Sequence, residues 1–241
     1  MTVQLPLAGK KALVTGGTRG NGRAIAQRLT ADGAKVCITG VSPERGAAAG
    51  MDYRSVDLSD RAATDRFAAE LGDAGFDILV NNAGINTNNP FEAIKLSDYD
   101  SIFEVNLRSV FRLCQAVLPG MRQRRWGRIV NIASIFSVIS KEHRATYSAS
   151  KFGLDGLTTG LAAEVAMDGI LANCVSPGFI ETDLTRKNLG EEGIRELTAR
   201  VPMRRLGQPA EVAALVSWLA GPDNTFVSGQ NIVRDGGFTR V

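Results

Sequence analysis

The sequence predicts an α/β fold: a single domain built on a doubly wound, mostly parallel sheet of about seven strands with helices on both faces. Three observations carry that expectation. Short apolar runs alternate with segments of helical spacing along all 241 residues, without a linker or a break in composition. The first apolar run passes through a glycine-rich turn straight into a helical pattern. The first strand–helix–strand unit closes within the ~30 residues that such a unit takes.

Residues 11–15 form an apolar run fit for a buried strand. Gly16, Gly17, Thr18, Arg19, Gly20, Asn21 and Gly22 follow, and residues 23–29 have helical spacing. Glycines let a backbone approach a pyrophosphate, and a helix N-terminus supplies unpaired N–H groups and a positive dipole end. A tight turn without a ligand is the competing reading; the flanking strand and helix favour the nucleotide. Residues 34–39 read as the second strand. An acidic residue at its end, ~20 positions past the glycines, would hold a ribose 2′-hydroxyl and disfavour a 2′-phosphate. Thr39, Gly40, Val41 and Ser42 stand there instead, with no carboxylate before Glu44. Arg19 can pair with a phosphate, so NADP(H) is expected, with NAD(H) the alternative. A solvated loop charge is the other reading of Arg19.

Residues 43–50 leave room for only a brief helix. Residues 51–56 are the third strand, ending at Asp57 and Leu58, and 61–71 have helical spacing. Residues 76–80 are the fourth strand, running into Asn81, Asn82, Ala83 and Gly84, whose amides can knit neighbouring loops or meet a ligand. Residues 97–121 carry a long amphipathic pattern with Asn106, a poor helix former, inside it. A local kink or a helix–helix contact is the bland reading. Arg122, Arg124, Arg125 and Arg128 form a basic cluster that suits a helix C-terminus. Residues 128–132 are the fifth strand. A helix is expected from Ala145 to about Ala166, with Gly153, Gly156 and Gly160 permitting close approach to the sheet or to another subunit. Residues 170–175 are the sixth strand. The charged segment 183–206 holds two short helical patterns and reads as a mobile lid over the site. Residues 211–220 are the last helix and 230–233 the last strand.

The chemistry centres on Ser134, Tyr147 and Lys151. Tyr147 and Lys151 stand four apart at a helix start, so their side chains leave one face. An ammonium beside a phenol favours the phenolate and should lower a pKa of about 10 towards neutrality, giving a usable acid. Ser134 follows the fifth strand, where its hydroxyl can hold the same carbonyl oxygen. Taken alone the pair is a weak signal, since surface helices carry such pairs by chance.

Composition narrows the class. Hydrophobic residues make up 44% and charged residues 22%, as in a soluble globular protein. A net charge of +3 gives no ground for nucleic acid or an anionic membrane. No N-terminal secretory pattern is visible and no apolar run reaches the ~18 residues of a membrane span. Cys37, Cys114 and Cys174 are widely spaced and the chain has one histidine, so buried thiols are expected rather than a metal site. The expected compartment is the cytoplasm.

Thr15-Gly-x-x-x-Gly-x-Gly22, Asn81-Asn-Ala-Gly84, Asn106, Ser134, Tyr147-x-x-x-Lys151 and Pro177-Gly178 occur in one order. In this the chain resembles the short-chain dehydrogenase/reductase family over almost its whole length. The resemblance implies a Rossmann-type sheet, with Tyr147 as catalytic acid/base and Ser134 positioning the carbonyl. Lys151 would lower the tyrosine pKa and bind the nicotinamide ribose, and Asn106 would hold a water in a proton relay. It places the cofactor against Gly16, Thr18, Arg19, Gly20, Asn21, Gly22 and Thr39. Asp57 and Leu58 would meet the adenine, Asn82, Ala83 and Gly84 would line the cleft, and Pro177, Gly178, Ile180 and Thr182 would flank the nicotinamide. A homotetramer formed through helices 97–121 and 145–166 is implied as well.

Within the family, Pro177 to Asp183 and Val201 to Gly207 resemble the 3-oxoacyl-(acyl-carrier-protein) reductases most. There are three departures. Asn21 stands where an apolar residue is usual. Arg125 matches one carrier-docking base, but the second falls on Asp168, a reversed charge. The loop from Ser140 to Thr146 is bulkier and more polar than the small, glycine-rich loop of those enzymes. Ile135, Phe136, Ile139, Glu142 and His143 are therefore substrate candidates beside Ser134 and Tyr147, with a plain surface loop the competing reading of His143. The expected activity interconverts a secondary alcohol and a ketone on a small molecule. The alternatives are a sugar, polyol or cyclic-alcohol dehydrogenase and, from a different class, a non-catalytic dinucleotide-binding regulator.

Overall fold

Strands buried on both faces of a parallel sheet are apolar at nearly every position rather than at alternate ones. That is how the central strands of this chain are built. The computed structural model describes residues 5–42 and 51–241. Its strands are β1 (Lys11–Val14), β2 (Lys35–Gly40), β3 (Asp52–Ser55), β4 (Ile78–Asn81), β5 (Gly127–Ile132), β6 (Ile170–Pro177) and β7 (Asn231–Arg234). They pair in parallel throughout, in the order β3-β2-β1-β4-β5-β6-β7. Every residue of β4 and β5 is buried, whereas the edge strand β3 is mostly exposed. The expected strands are all present, with ends displaced by one or two residues. The brief helix expected at 43–50, and Glu44 with it, lies outside the described residues.

The helices are α1 (Gly20–Ala31), α2 (Arg61–Leu71), α3 (Leu96–Phe103), α4 (Ser109–Arg124), α5 (Ala145–Val165), α6 (Asp183–Arg200) and α7 (Pro209–Ala220). Strand side chains alternate between two cores. Leu13, Cys37, Leu79 and Ile129 face the layer of α2, α4 and α5. Val14, Val36, Ile38, Val80 and Val130 face the layer of α1 and α7. The direction of winding reverses between β1 and β4, so the carboxyl ends of these strands open a crevice at the switch point, where ligands bind in such sheets.

Two helical segments differ from their sequence patterns in ways that matter for the site. The long pattern expected at 97–121 is not one α-helix: a π-turn, Glu104–Arg108, separates α3 from α4 and contains Asn106. A π-turn is rare and frequently marks a functional place. The segment 183–206 begins as α6, which breaks at Gly190 (φ 64°) into two helical arms. Among the described residues no helix is long and apolar enough to cross a membrane. The three cysteines are free and buried, and burial pushes the Cys114 and Cys174 thiols up to about 12.

Candidate active site

The glycine turn is shaped by backbone contacts that leave no room for side chains. A Cβ on Gly22 would lie 2.2 Å from Gly16 O and 2.4 Å from Asn82 Nδ2, so only glycine fits there. The turn is tied to its neighbours from two sides. Gly16 N–H donates to Thr39 Oγ1 (3.2 Å) and Gly17 N–H to Thr39 O (3.0 Å). Asn82 Nδ2 donates to Thr15 O (3.0 Å) and Gly16 O (3.1 Å). Thr15 Oγ1 in turn accepts from Asn82 N–H (2.9 Å) and Ala83 N–H (3.0 Å). The two readings left open for the Asn81–Gly84 segment are thus resolved for Asn82: its amide knits the turn to the end of β4.

The turn fits a dinucleotide phosphate. The N-terminus of α1 has no side-chain cap and no acidic residue in its first turn, and Arg19 at the N-cap is exposed. Asn21 Oδ1 is buried without a hydrogen-bond partner, so a donor on the nucleotide would find it free. Thr18, Gly20, Ala83 and Gly84 keep surface open along the same rim. Across the crevice, a Cβ on Gly20 would sit 3.5 Å from Thr182 Cγ2, which brings the start of α6 over the turn.

Several expected contacts are corrected by burial. Thr39 is 1% exposed and spent on the turn, so it supports the cofactor site rather than lining it. Leu58 packs in the core at 6% exposure, which leaves only its main chain for an adenine, while Asp57 beside it is exposed and accepts from Ser59. Pro177 and Ile180 are buried too, whereas Gly178 and Thr182 are half-buried at the crevice. Ile135, expected at the substrate, is 1% exposed and offers it no surface.

Ser134, Tyr147, Lys151 and Asn106 are brought together at the carboxyl ends of β4 and β5. Ser134 follows β5, and its Oγ accepts from Phe136 N–H (3.2 Å), leaving its own proton for a neighbour. Tyr147 meets the Phe136 ring edge-on at 6.2 Å between centroids. One turn further along α5, Lys151 Nζ lies 5.8 Å from the Tyr147 ring centroid and donates to Ile132 O (2.9 Å). Asn106 is fully buried: Oδ1 accepts from Ile85 N–H (2.9 Å), and Nδ2 donates to Ile85 O (2.9 Å) and Ser150 Oγ (3.1 Å). The π-turn therefore clamps the loop after β4 onto α5. Gly84 is the join: a Cβ there would lie 3.4 Å from Asn106 Oδ1 and 3.6 Å from Lys151 Nζ.

The electrostatics depart from expectation. The Tyr147 phenol is raised, not lowered: burial outweighs the Ser134 hydroxyl and the nearby Arg144 charge, which both pull it down. Among charges it is Arg144 that pulls the phenol down here, while Lys151 Nζ is turned to Ile132 O. Lys151 is 3% exposed, and burial lowers its own ammonium to about 8. A phenol that stays protonated at neutral pH is poised as a proton donor.

Arg144 is the site residue that sequence reasoning missed. Only its place three residues before Tyr147 pointed to it, in a loop already marked as unusually polar. Phe136 (7% exposed) borders Tyr147, Ile139 is half-buried, and Glu142 and His143 are exposed, with His143 in the left-handed region at φ 64°. The basic cluster is also clarified. Asp168 accepts from Arg122 (2.9 Å) and Arg125 (3.2 Å), and Arg124 bonds Asp77 and Phe76 O, so specific pairs rather than the helix dipole account for it. Among the described residues no cluster of three His, Cys, Asp or Glu side chains is placed to hold a metal.

Comparison with known proteins agrees with this geometry. A family profile described as enoyl-(acyl carrier protein) reductase matches residues 16–239. The 3-oxoacyl-(acyl-carrier-protein) reductase of Vibrio cholerae serotype O1 is 42% identical, covering 98% of this chain and 99% of the relative. The chain belongs to the short-chain dehydrogenase/reductase family. The enzyme of that name from Escherichia coli strain K12 is also 42% identical, over 97% of this chain and 98% of its own. Among solved structures of the family, a gluconate 5-dehydrogenase from Burkholderia cenocepacia J2315, in complex with NADP and tartrate, superposes with a TM-score of 0.91 at 34% identity. It covers 99% of this chain and 98% of that one. Membership makes this chain an oxidoreductase of that family.

Proposed function

We propose that the protein is an NADP(H)-dependent oxidoreductase that interconverts a secondary alcohol and a ketone. The observation that carries this reading is the convergence of Ser134, Tyr147 and Lys151 beside a glycine turn shaped for a dinucleotide. A bound NADP(H) supplies or takes up the hydride. Tyr147 gives its proton to the carbonyl oxygen, and the Ser134 hydroxyl holds that oxygen in place. Burial keeps the phenol protonated until the oxygen develops negative charge, which suits reduction. Lys151, whose ammonium burial lowers to about 8, would pass a proton back to Tyr147 and hold the nicotinamide ribose. Asn106 fixes the loop after β4 against α5 and is the expected start of a water relay.

Arg19 favours the 2′-phosphate of NADP(H), since no acidic side chain among the described residues of the β2 end opposes it. Two substrate readings follow the relatives. One is a 3-oxoacyl thioester, as in the 3-oxoacyl reductases; the other is a sugar acid or polyol, as in the gluconate dehydrogenases. We further read residues 183–206 as a substrate lid in a single-domain chain, supported by the Gly190 break and the Gly20–Thr182 approach. We read the compartment as the cytoplasm and the assembly as a homotetramer formed through the α3–α4 face and α5. The assembly is supported by exposed Phe111 and Phe152 and by the open surface at Gly156 and Gly160. The deciding experiment follows NADPH and NADH oxidation against a panel of ketones, with the matching alcohols and NADP in reverse. Turnover with NADPH preferred supports the reading; nucleotide binding without turnover of any compound would mark a regulator instead.

A further inference from the structure

Several arginines of this protein have partners that account for their placement. Arg108 bonds Glu104 and Asp65, and Arg112 bonds Asp65. Arg205 grips Glu211, and Arg128 spends its guanidinium on the carbonyls of Gly127, Gly169 and Asn224. Arg144 has no such partner; among the half-buried arginines of the described residues only Arg234 on β7, in the field of Glu211, shares that lack. Arg144 is half-buried at the start of α5, with its guanidinium 5.3 Å from the Phe136 ring centroid, on the ring that Tyr147 meets edge-on. Among the described residues it makes no ion pair and no side-chain hydrogen bond, although Glu142 is two residues away. The first turn of α5 holds no acidic residue, and a cation at that end of a helix opposes the dipole. Beyond its stacking on Phe136, the fold gains little from this charge. It leaves the guanidinium, with five N–H donors, beside the reacting phenol.

We propose that Arg144 is a specificity-determining residue that binds a carboxylate of the substrate, so that the ketone or alcohol turned over is a free oxo acid or hydroxy acid. The inference rests on the oxidoreductase reading above and narrows it. A guanidinium matches a carboxylate with two parallel hydrogen bonds, and such charge-assisted pairs are the strong ones. A thioester next to the reacting carbonyl is neutral and would leave the half-buried charge unpaired, at a cost. The outer surface agrees, because Asp168 neutralises Arg122 and Arg125, which leaves fewer free cations for an acidic carrier protein. Placed beside Tyr147, Arg144 puts the carboxylate within a few bonds of the carbonyl. In reduction, hydride reaches the carbonyl carbon and the Tyr147 proton its oxygen, while the carboxylate is left unchanged.

The test is steady-state reduction by NADPH of 3-oxobutanoate, 4-oxopentanoate and 5-oxohexanoate, each beside its methyl ester, and of 3-oxobutanoyl-coenzyme A. The enzymes are the wild-type chain, Arg144→Met and Arg144→Lys. The wild type should favour at least one acid over its ester by about tenfold or more in kcat/KM. That ratio should fall to within about threefold of unity in Arg144→Met and be partly kept in Arg144→Lys. Because the ratio is read within each variant, damage to the fold or to Tyr147 divides out. A ratio unmoved by Arg144→Met, or a wild type that prefers the esters, overturns the inference and leaves the oxidoreductase reading standing. Preference for the coenzyme A thioester does so too, and assigns the guanidinium to a phosphate of the carrier arm. No turnover of any compound in either direction overturns both together.

Discussion

Two loops frame the crevice, residues 15–19 ahead of α1 and 133–144 ahead of α5. Both carry a central strand into a helix, and both deliver an arginine to the N-cap position without a side-chain cap or an acid in the first turn. They meet the crevice differently. The first presents main chain to the crevice, with Gly22 pressed against Gly16 O, and is tied in place by the side chains of Thr15, Thr39 and Asn82. The second is fixed by side chains: Ser137 Oγ donates to Ser134 O (2.7 Å), Ser140 and Ser148 share a hydrogen bond (2.8 Å), and His143 takes a left-handed turn. Other helices of the chain are capped well, with Asp60 accepting from Ala62 and Ala63 N–H at α2, and Gln208 with Glu211 forming a capping box at α7. A cap worth about 1 kcal/mol is thus missing at these two helix starts, as it is at α3, while α6, which also reaches the crevice, is capped by Thr182. A main-chain cradle can hold an unvarying phosphate, whereas a side-chain cradle can be rewritten for each substrate.

The sharpest way to break this contrast is Tyr147→Phe. Turnover should fall by about 1,000-fold or more, while NADPH affinity, set at the other loop, stays within about threefold. Kinetics and equilibrium binding on the same variant check this, and retained turnover would remove Tyr147 from the mechanism. Gly22→Ala should show the inverse pattern. Its new methyl has no place beside Gly16 O, so about 1–3 kcal/mol of stability and most NADPH affinity should be lost together. A denaturation curve with a titration of the cofactor measures both.

A smaller effect is expected from Arg19→Ser. NADPH should lose about tenfold to a hundredfold in kcat/KM with NADH nearly unchanged, as α1 gains a capping hydroxyl worth about 0.5–1 kcal/mol. Equal losses with both nucleotides would return Arg19 to a solvated loop charge. The smallest effect concerns pH. Lys151 is lowered to about 8 in the folded chain, against about 10.4 when unfolded. Between those values the unfolded chain holds a proton that the folded chain has released, so stability rises with pH through that window. The contribution is lost as pH falls through 8, where the buried ammonium is charged. The unfolding free energy of the wild type minus that of Lys151→Met, from urea titrations at pH 8 to 10, should rise by up to about 1 kcal/mol per pH unit. The difference cancels the buried thiols, whose raised values pull both proteins the other way in this window.

The fold was legible because central parallel strands announce themselves as unbroken apolar runs, and because glycines at 16, 20 and 22 have few other uses between a strand and a helix. Ser134, Tyr147 and Lys151 were legible from spacing and order. What sequence could not show was the side of the backbone a contact would come from. Thr39, Leu58 and Ile135 stand where ligands were expected, yet their side chains point into the protein. The sign of the Tyr147 shift was missed for a related reason, since a spacing of four reveals a neighbouring amine but not the burial that sets the direction. Arg144 was hidden because an arginine in a polar loop looks solvated until the aromatic ring beneath it and the missing carboxylate around it are seen.

The π-turn at Glu104–Arg108 has a consequence for how this chain tolerates changes in length. A π-turn is an α-helix carrying one residue too many for its turn. Deleting a single residue within 104–108 would let α3 and α4 fuse into one regular helix, continuous and better hydrogen-bonded than the native one. It would also rotate Asn106 away from Ile85 and Ser150 and release the loop after β4. The molecule that resulted would be a more orderly helix around a crevice that no longer closes on its own chemistry.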